Sequence, residues 1–251
     1  MTANYMKRSL LFCFLTCFVT VSATASTARK ITSAEAAQII KKLGDWYKDT
    51  EKYSMEIEIK SYKDYSTDVV HETQTGFARK SGKNFHSLMM GTHTIQNEKY
   101  RFTIDSLRNF MSIKDAELNM WENINPVILE NYLNESSTIM LTELEGSSMM
   151  KIIPPVNSAL KQYELTYDKS FRIINIKMEM QKEEMADDGR TTFTISPKIT
   201  FQFRNYTNGS KINPKEFLTE NYVRMGPEVV ANKEYSKFEF FDLRVKDKLK
   251  Q

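Results

Sequence analysis

Five stretches of this chain alternate apolar and polar residues with a period of two, a pattern that calls for antiparallel strands. Tyr53, Met55, Ile57 and Ile59 interleave with Ser54, Glu56, Glu58 and Lys60, and Tyr100, Phe102 and Ile104 interleave with Arg101, Thr103 and Asp105. The spacing returns at Tyr163, Leu165 and Tyr167, at Ile174, Ile176, Met178 and Met180, and at Ile199, Phe201 and Phe203. Successive strand side chains point to opposite faces, so each run has one apolar side and one wet side. Asp188-Gly189 and Asn208-Gly209 accept the positive φ of a tight hairpin, and Ser81 to Asn84 and Asn97 to Lys99 make longer polar connections. There is no βαβ rhythm and no glycine-rich phosphate loop. The expected architecture is α+β: one large antiparallel sheet whose apolar side needs a cover.

Two segments depart from that period. Thr32-Ser33-Ala34-Glu35 reads as a capping box ahead of Ala36, Ile39, Ile40, Leu43 and Tyr47, one apolar stripe of a helix. From Asp115 to Met150 the chain holds seven acidic residues and no Lys or Arg, together with a dense set of apolar ones. Pro126 suits the first turn of a short helix carrying Ile128, Leu129, Tyr132 and Leu133. The segment from about 115 to 150 is therefore expected to be an inserted helical piece, either lying on the sheet's apolar side as a cover or plugging its core.

The N-terminus bounds the compartment. Lys7 and Arg8 precede an apolar run from Leu10 to Val21, and Ala23-Thr24-Ala25 follows, which is the pattern of a cleavable signal peptide over residues 1–25. Both cysteines, Cys13 and Cys17, fall inside that run. Residues 26–251 are then expected to form a single exported, cysteine-free domain held together by its core, which fits a bacterial periplasm better than a disulfide-stapled extracellular setting. Without Lys7 and Arg8, the 35 basic and 32 acidic residues come close to balance, which argues against nucleic acid as a partner.

Little in the sequence resembles a catalytic centre. His71, His86 and His93 are the only histidines, and no two have a helical metal spacing. His86 and His93 flank a turn near Gly91 that would bring them onto neighbouring strands, where hydrogen-bonded strand histidines are the simpler reading than a metal or proton-transfer site. Asp105-Ser106-Leu107 lacks a base for a serine nucleophile and reads as a strand end, although it resembles a short acceptor site for serine-linked glycans of Bacteroidetes-type envelopes. Methionine is the unusual choice, suited either to filling irregular gaps in a core or to lining a pocket for varied apolar ligands. No catalytic residue, cofactor or metal is expected.

The order of parts resembles a known family. An amphipathic helix is followed by "YSMEIEIKSY", "ETQTGFARKSGKNFHSL", "THTIQNEKYRFTID" and "NFMSIKD", and later by "YDKSFRIINIKMEM" and "SPKITFQFRNYTNGSKINPKEF". This resembles the periplasmic outer-membrane lipoprotein carriers of the LolA type, with Gly76, Arg79, Lys80 and Phe85 taking family places, as a divergent, Bacteroidetes-type member. The resemblance implies a single strongly curved half-barrel whose concave apolar face is covered by helices. It also implies a non-catalytic function: carrying or sensing lipid or lipoprotein acyl chains and releasing them to an envelope membrane receptor, as a monomer.

The cavity would be lined by Met55, Ile57, Met89, Met90 and Phe102, with Met120, Trp121, Met140, Met178 and Phe201. In the family a Lys-Arg-Pro run supplies an arginine that helps hold a lid closed; Arg79-Lys80-Ser81 stands in that place, which makes Arg79 and Lys80 the candidate latch. The alternative is an interaction module with a filled core, an accessory subunit in envelope assembly or secretion.

Overall fold

The computed structural model describes residues 27–116, 129–185, 192–208, 212–226 and 228–244. The expected signal peptide, Met120, Trp121, the Asp188-Gly189 turn and Gly209 lie outside the described residues. Among the described residues one α-helix, α1 (Ser33–Asp49), accompanies seventeen strands. These are β1 (Ala28–Lys30), β2 (Lys52–Tyr62), β3 (Glu72–Ser81), β4 (Asn84–Met89), β5 (Thr92–Gln96) and β6 (Tyr100–Asp105). Next come β7 (Phe110–Asp115), β8 (Thr138–Leu144), β9 (Ser147–Ile153), β10 (Leu160–Asp168), β11 (Ile173–Met180) and β12 (Lys182–Met185). The last are β13 (Thr192–Ile195), β14 (Lys198–Thr207), β15 (Val223–Arg224), β16 (Val230–Ala231) and β17 (Glu239–Asp242).

Thirteen of the strands form one sheet in the order β1-β8-β9-β10-β11-β14-β2-β3-β4-β5-β6-β7-β17. All its neighbours are antiparallel except β17, which runs parallel to β7 at one edge. No helix among the described residues is long and apolar enough to cross a membrane.

The capping box of α1 forms as its sequence requires. Glu35 N donates to Thr32 Oγ1 at 3.1 Å, and Thr32 N donates to Glu35 Oε2 at 3.0 Å. The stripe Ala36, Ile40, Leu43 and Tyr47 is buried against the sheet. It meets Tyr53, Met55 and Ile57 of β2, Phe203 and Phe201 of β14, and buried residues of β8 to β11 in one continuous core. Each large side chain buried there contributes about 1.5–3 kcal/mol.

A register shift between Arg204 and Thr207, with Asn205 at φ 54°, inserts one extra residue into β14. The bulge turns Tyr206 onto the α1 side, where its hydroxyl meets that of Tyr47.

Two expectations are corrected. The sheet is not strongly curled or closed: among the described residues β1 and β17 are its two ends and do not pair with each other. The reason is that its apolar side changes partway across. On β2, β3 and β4 the α1 side carries Tyr53, Met55, Ala78 and Phe85. Cross-strand partners share a face, and Phe85 pairs with Gln96 while His86 pairs with Ile95. From β5 onward, therefore, Ile95, Phe102, Ile104, Met111 and Ile113 lie on the opposite face, in a second core. A sheet with apolar patches on both sides cannot wrap a single cavity.

The second correction concerns the inserted helical segment. Of residues 115–150, those from Thr138 onward form the β8–β9 hairpin, and Leu129–Tyr132 is a single 3-10 turn. Ile139 and Leu141 point to the core between Met140 and Thr142, the period of a strand, and Gly146 at φ 79° closes the turn. The part from 117 to 128 lies outside the described residues.

At Gly76 the backbones of β3 and β4 approach closely. A Cβ there would stand 2.2 Å from the carbonyl oxygen of Leu88 on β4, so no side chain fits without parting β3 from β4. Gly76→Ala should destabilise the protein by about 2–4 kcal/mol, read as a lower urea midpoint at unchanged slope. An unchanged midpoint would show that β3 and β4 yield freely.

Candidate functional site

Lys80 lies on the α1 face and is 3% exposed. Its ammonium donates to the carbonyls of Tyr47 at 3.1 Å and Thr50 at 2.7 Å, and to that of Lys48. These are the carbonyls that end α1, where a helix concentrates partial negative charge and lacks internal donors. Burial lowers the pKa of Lys80, while Asp49 and Glu51 act to raise it. One buried cation thus fixes the end of the helix to β3.

Around it the core is aromatic and closely filled. Trp46, Tyr47, Tyr53 and Tyr206 make mutual ring contacts at 4.7–5.9 Å. Tyr47 Oη accepts from the backbone N–H of Ile173 at 3.1 Å, and Tyr206 Oη donates to the Ile173 carbonyl at 3.2 Å. The Tyr53 hydroxyl is buried and finds no partner among the described residues. Such a group costs about 1–3 kcal/mol where no donor or acceptor reaches it. Along the flank of α1 a cleft of about 300 Å³ opens between Ile39 and Lys42 on the helix and Leu141, Tyr167 and Phe171 on the sheet side.

Beyond Phe85 the α1 face turns polar. Ala78, Ser87, Thr94, Thr103 and Ser112 form one cross-strand row, and Ser87, Thr94 and Ser112 are buried. Gln96 and Asp105 are buried beside that row.

The outer face of β4 to β7 is covered by the segment from Ile212 to Leu243, through Phe217, Tyr222 and Val223. Arg79 Nη1 meets Glu216 Oε2 of this segment at 2.9 Å, and Asn97 Nδ2 donates to Phe217 O and Thr219 Oγ1. The turn at Met90 and Gly91, both at positive φ, brings His86 and His93 onto neighbouring strands with Nε2 and Nδ1 3.2 Å apart. His86 Nδ1 stands 3.5 Å from Glu216 Oε2, at the outer limit of hydrogen-bond distance. Burial, and then the neighbouring His93, push the pKa of His86 down to about 4, and burial also lowers that of His93. Among the described residues no group of three or more His, Cys, Asp or Glu is placed to hold a metal ion.

The residues singled out from sequence do not converge on one cavity. Met55, Ile57, Met178 and Phe201 are buried in the α1 core, and Met89 packs against its edge. Met140 is half-buried on β8 opposite Lys30, and Met90 is exposed in its turn. Phe102 belongs to the second core, on the other side of the sheet. Arg79 and Lys80 face opposite ways, one to the C-terminal cover and the other to α1. Sequence reasoning missed the cover itself: Phe217, Tyr222, Tyr235 and Phe238 are spaced too irregularly to announce a packed layer.

No family model matches the chain, and no curated protein does. Among solved structures, it is similar to an uncharacterized conserved protein from Thermus thermophilus, at 12% identity and a TM-score of 0.35, covering 73% of this chain and 96% of that one. It is also similar to a LolA superfamily protein from Nitrosomonas europaea, at 7% identity and a TM-score of 0.30, covering 76% of this chain and 99% of that one.

The His86 site predicts a pH dependence. A histidine with a folded pKa near 4 and an unfolded one near 6.5 supports the fold fully above pH 6.5, and that support is lost as pH falls toward 4. The loss should reach about 3 kcal/mol. His86→Gln should flatten chemical denaturation stability over this window. An equally steep wild-type and variant profile would place the titration elsewhere.

Proposed function

We propose that this is a non-catalytic, periplasmic carrier or sensor of lipid or lipoprotein acyl chains, in which α1 is a lid over the apolar face of β2, β14, β11 and β10. The observation that carries the reading is Lys80. A buried ammonium spent on the carbonyls that end α1 ties helix to sheet, beside the bonds that the Tyr47 hydroxyl makes to Ile173 and Tyr206. Raising α1 would uncover Met55, Ile57, Met178 and Phe201, which contact its underside or the core around it. Each acyl methylene entering that face contributes about 0.8 kcal/mol, so a chain of ordinary length can replace the contacts that α1 gives up. The cleft along Ile39, Leu141 and Phe171 offers a starting point, and the orphaned Tyr53 hydroxyl offers a polar group for a bound head group or water. Release would need an envelope receptor with a better site for the chain.

A second reading is favoured by one feature, the closely filled aromatic core of Trp46, Tyr47, Tyr53 and Tyr206. In that reading α1 never lifts, and the protein is an accessory subunit whose surface docks an envelope partner.

Native mass spectrometry of the protein released from its own periplasm should show bound acyl species. Lys80→Met should lose about 1–3 kcal/mol of stability and take up a fluorescent fatty-acid probe faster than wild type. A lipid-free protein that excludes the probe in both forms, and that co-purifies with a stoichiometric protein partner, would replace the first reading with the second.

A further inference from the structure

We infer that a second site, independent of the α1 face, binds a small organic ammonium ion between the outer face of the sheet and the C-terminal cover. A cavity of about 420 Å³ lies there, lined by His86, His93, Ile95 and Ile104 of β4 to β6 and Ser106. Its other wall is Tyr222, Tyr235, Phe238 and Glu234 of the cover. The volume falls within the range of ligand pockets, and the composition selects the charge.

The lining contains one carboxylate and neither Lys nor Arg. Three aromatic rings adjoin one another, Tyr222 and Tyr235 at 6.3 Å and Tyr235 and Phe238 edge-on at 5.8 Å. Aromatic faces attract a cation, most strongly a weakly hydrated one such as a substituted ammonium. Arg79, just outside the lining, is already neutralised by Glu216. The floor is the His86–His93 pair, joined through Nε2 and Nδ1 and held neutral by burial, so it adds no opposing positive charge. An anion would meet Glu234 with no cation to hold it.

The charge can arrive on a free amine or on a lipid head group, and the two sources share this chemistry. Isothermal titration of the purified protein with choline should show saturable binding. The uncharged isostere 3,3-dimethyl-1-butanol should bind at least roughly tenfold more weakly. Glu234 is exposed, so Glu234→Gln should fold normally and weaken choline by roughly two- to fivefold, with Tyr235→Leu acting in the same direction while also lowering the melting temperature. Competition by phosphatidylcholine vesicles would assign the site to a head group, and its absence to a free ammonium. Equal affinity for choline and the isostere, choline binding unchanged in Glu234→Gln, or no choline binding in the folded protein would overturn the inference. None of these results depends on whether α1 opens.

Discussion

The change of apolar side between β4 and β5 is the constraint on which the rest of this structure depends. A two-residue turn fixes the register, and with it the pairing of His86 with Ile95 and of Phe85 with Gln96. Once that register is set, one sheet has two greasy patches on opposite faces. Neither can face water, so the chain needs two covers. The N-terminal end supplies α1 for one, and the C-terminal end supplies the segment from Ile212 to Leu243 for the other. The open, weakly curled sheet follows, because curling around either patch would turn the other outward.

The two covers are held by different chemistry. The C-terminal one is joined through Arg79–Glu216, the Asn97 amide and a parallel strand pairing, a distributed attachment with no single weak point. The helix relies on its apolar stripe, on Lys80, whose ammonium donates to carbonyls at the end of α1, and on the Tyr47 hydroxyl, which bonds Ile173 N–H and meets the Tyr206 hydroxyl. Adjacent residues on β3 thus serve opposite faces, which is what strand alternation demands of Arg79 and Lys80. The lid role proposed for α1 rests on this difference between its attachment and that of the C-terminal cover.

Much of this was legible in the sequence and some was not. Period two identified β2, β6, β10, β11 and β14, and the capping box placed the start of α1 at its observed residue, because those signals are local. Alternation says that Phe102 and Ile104 share a face; it cannot say which side of the sheet that face is on, since this depends on pairing with β5. The 115–150 segment misled through composition. Its acids and apolar residues resemble an amphipathic cover, yet Thr138 to Leu144 is a strand that buries Ile139 and Leu141, and Glu145-Gly146 is its hairpin turn. The His86–His93 contact was suggested by their placement around Gly91, whereas the aromatic cover above them leaves no periodic trace.

The central claim is that α1 leaves the sheet while the rest of the fold persists. Native-state hydrogen exchange resolved by residue tests it most directly. A lid helix should have amides that open together at a free energy well below that of β2 and β14, and Lys80→Met should lower the α1 value alone. If the α1 amides exchange only through global unfolding, in step with β2 and β14, the helix is part of the permanent core and is no lid.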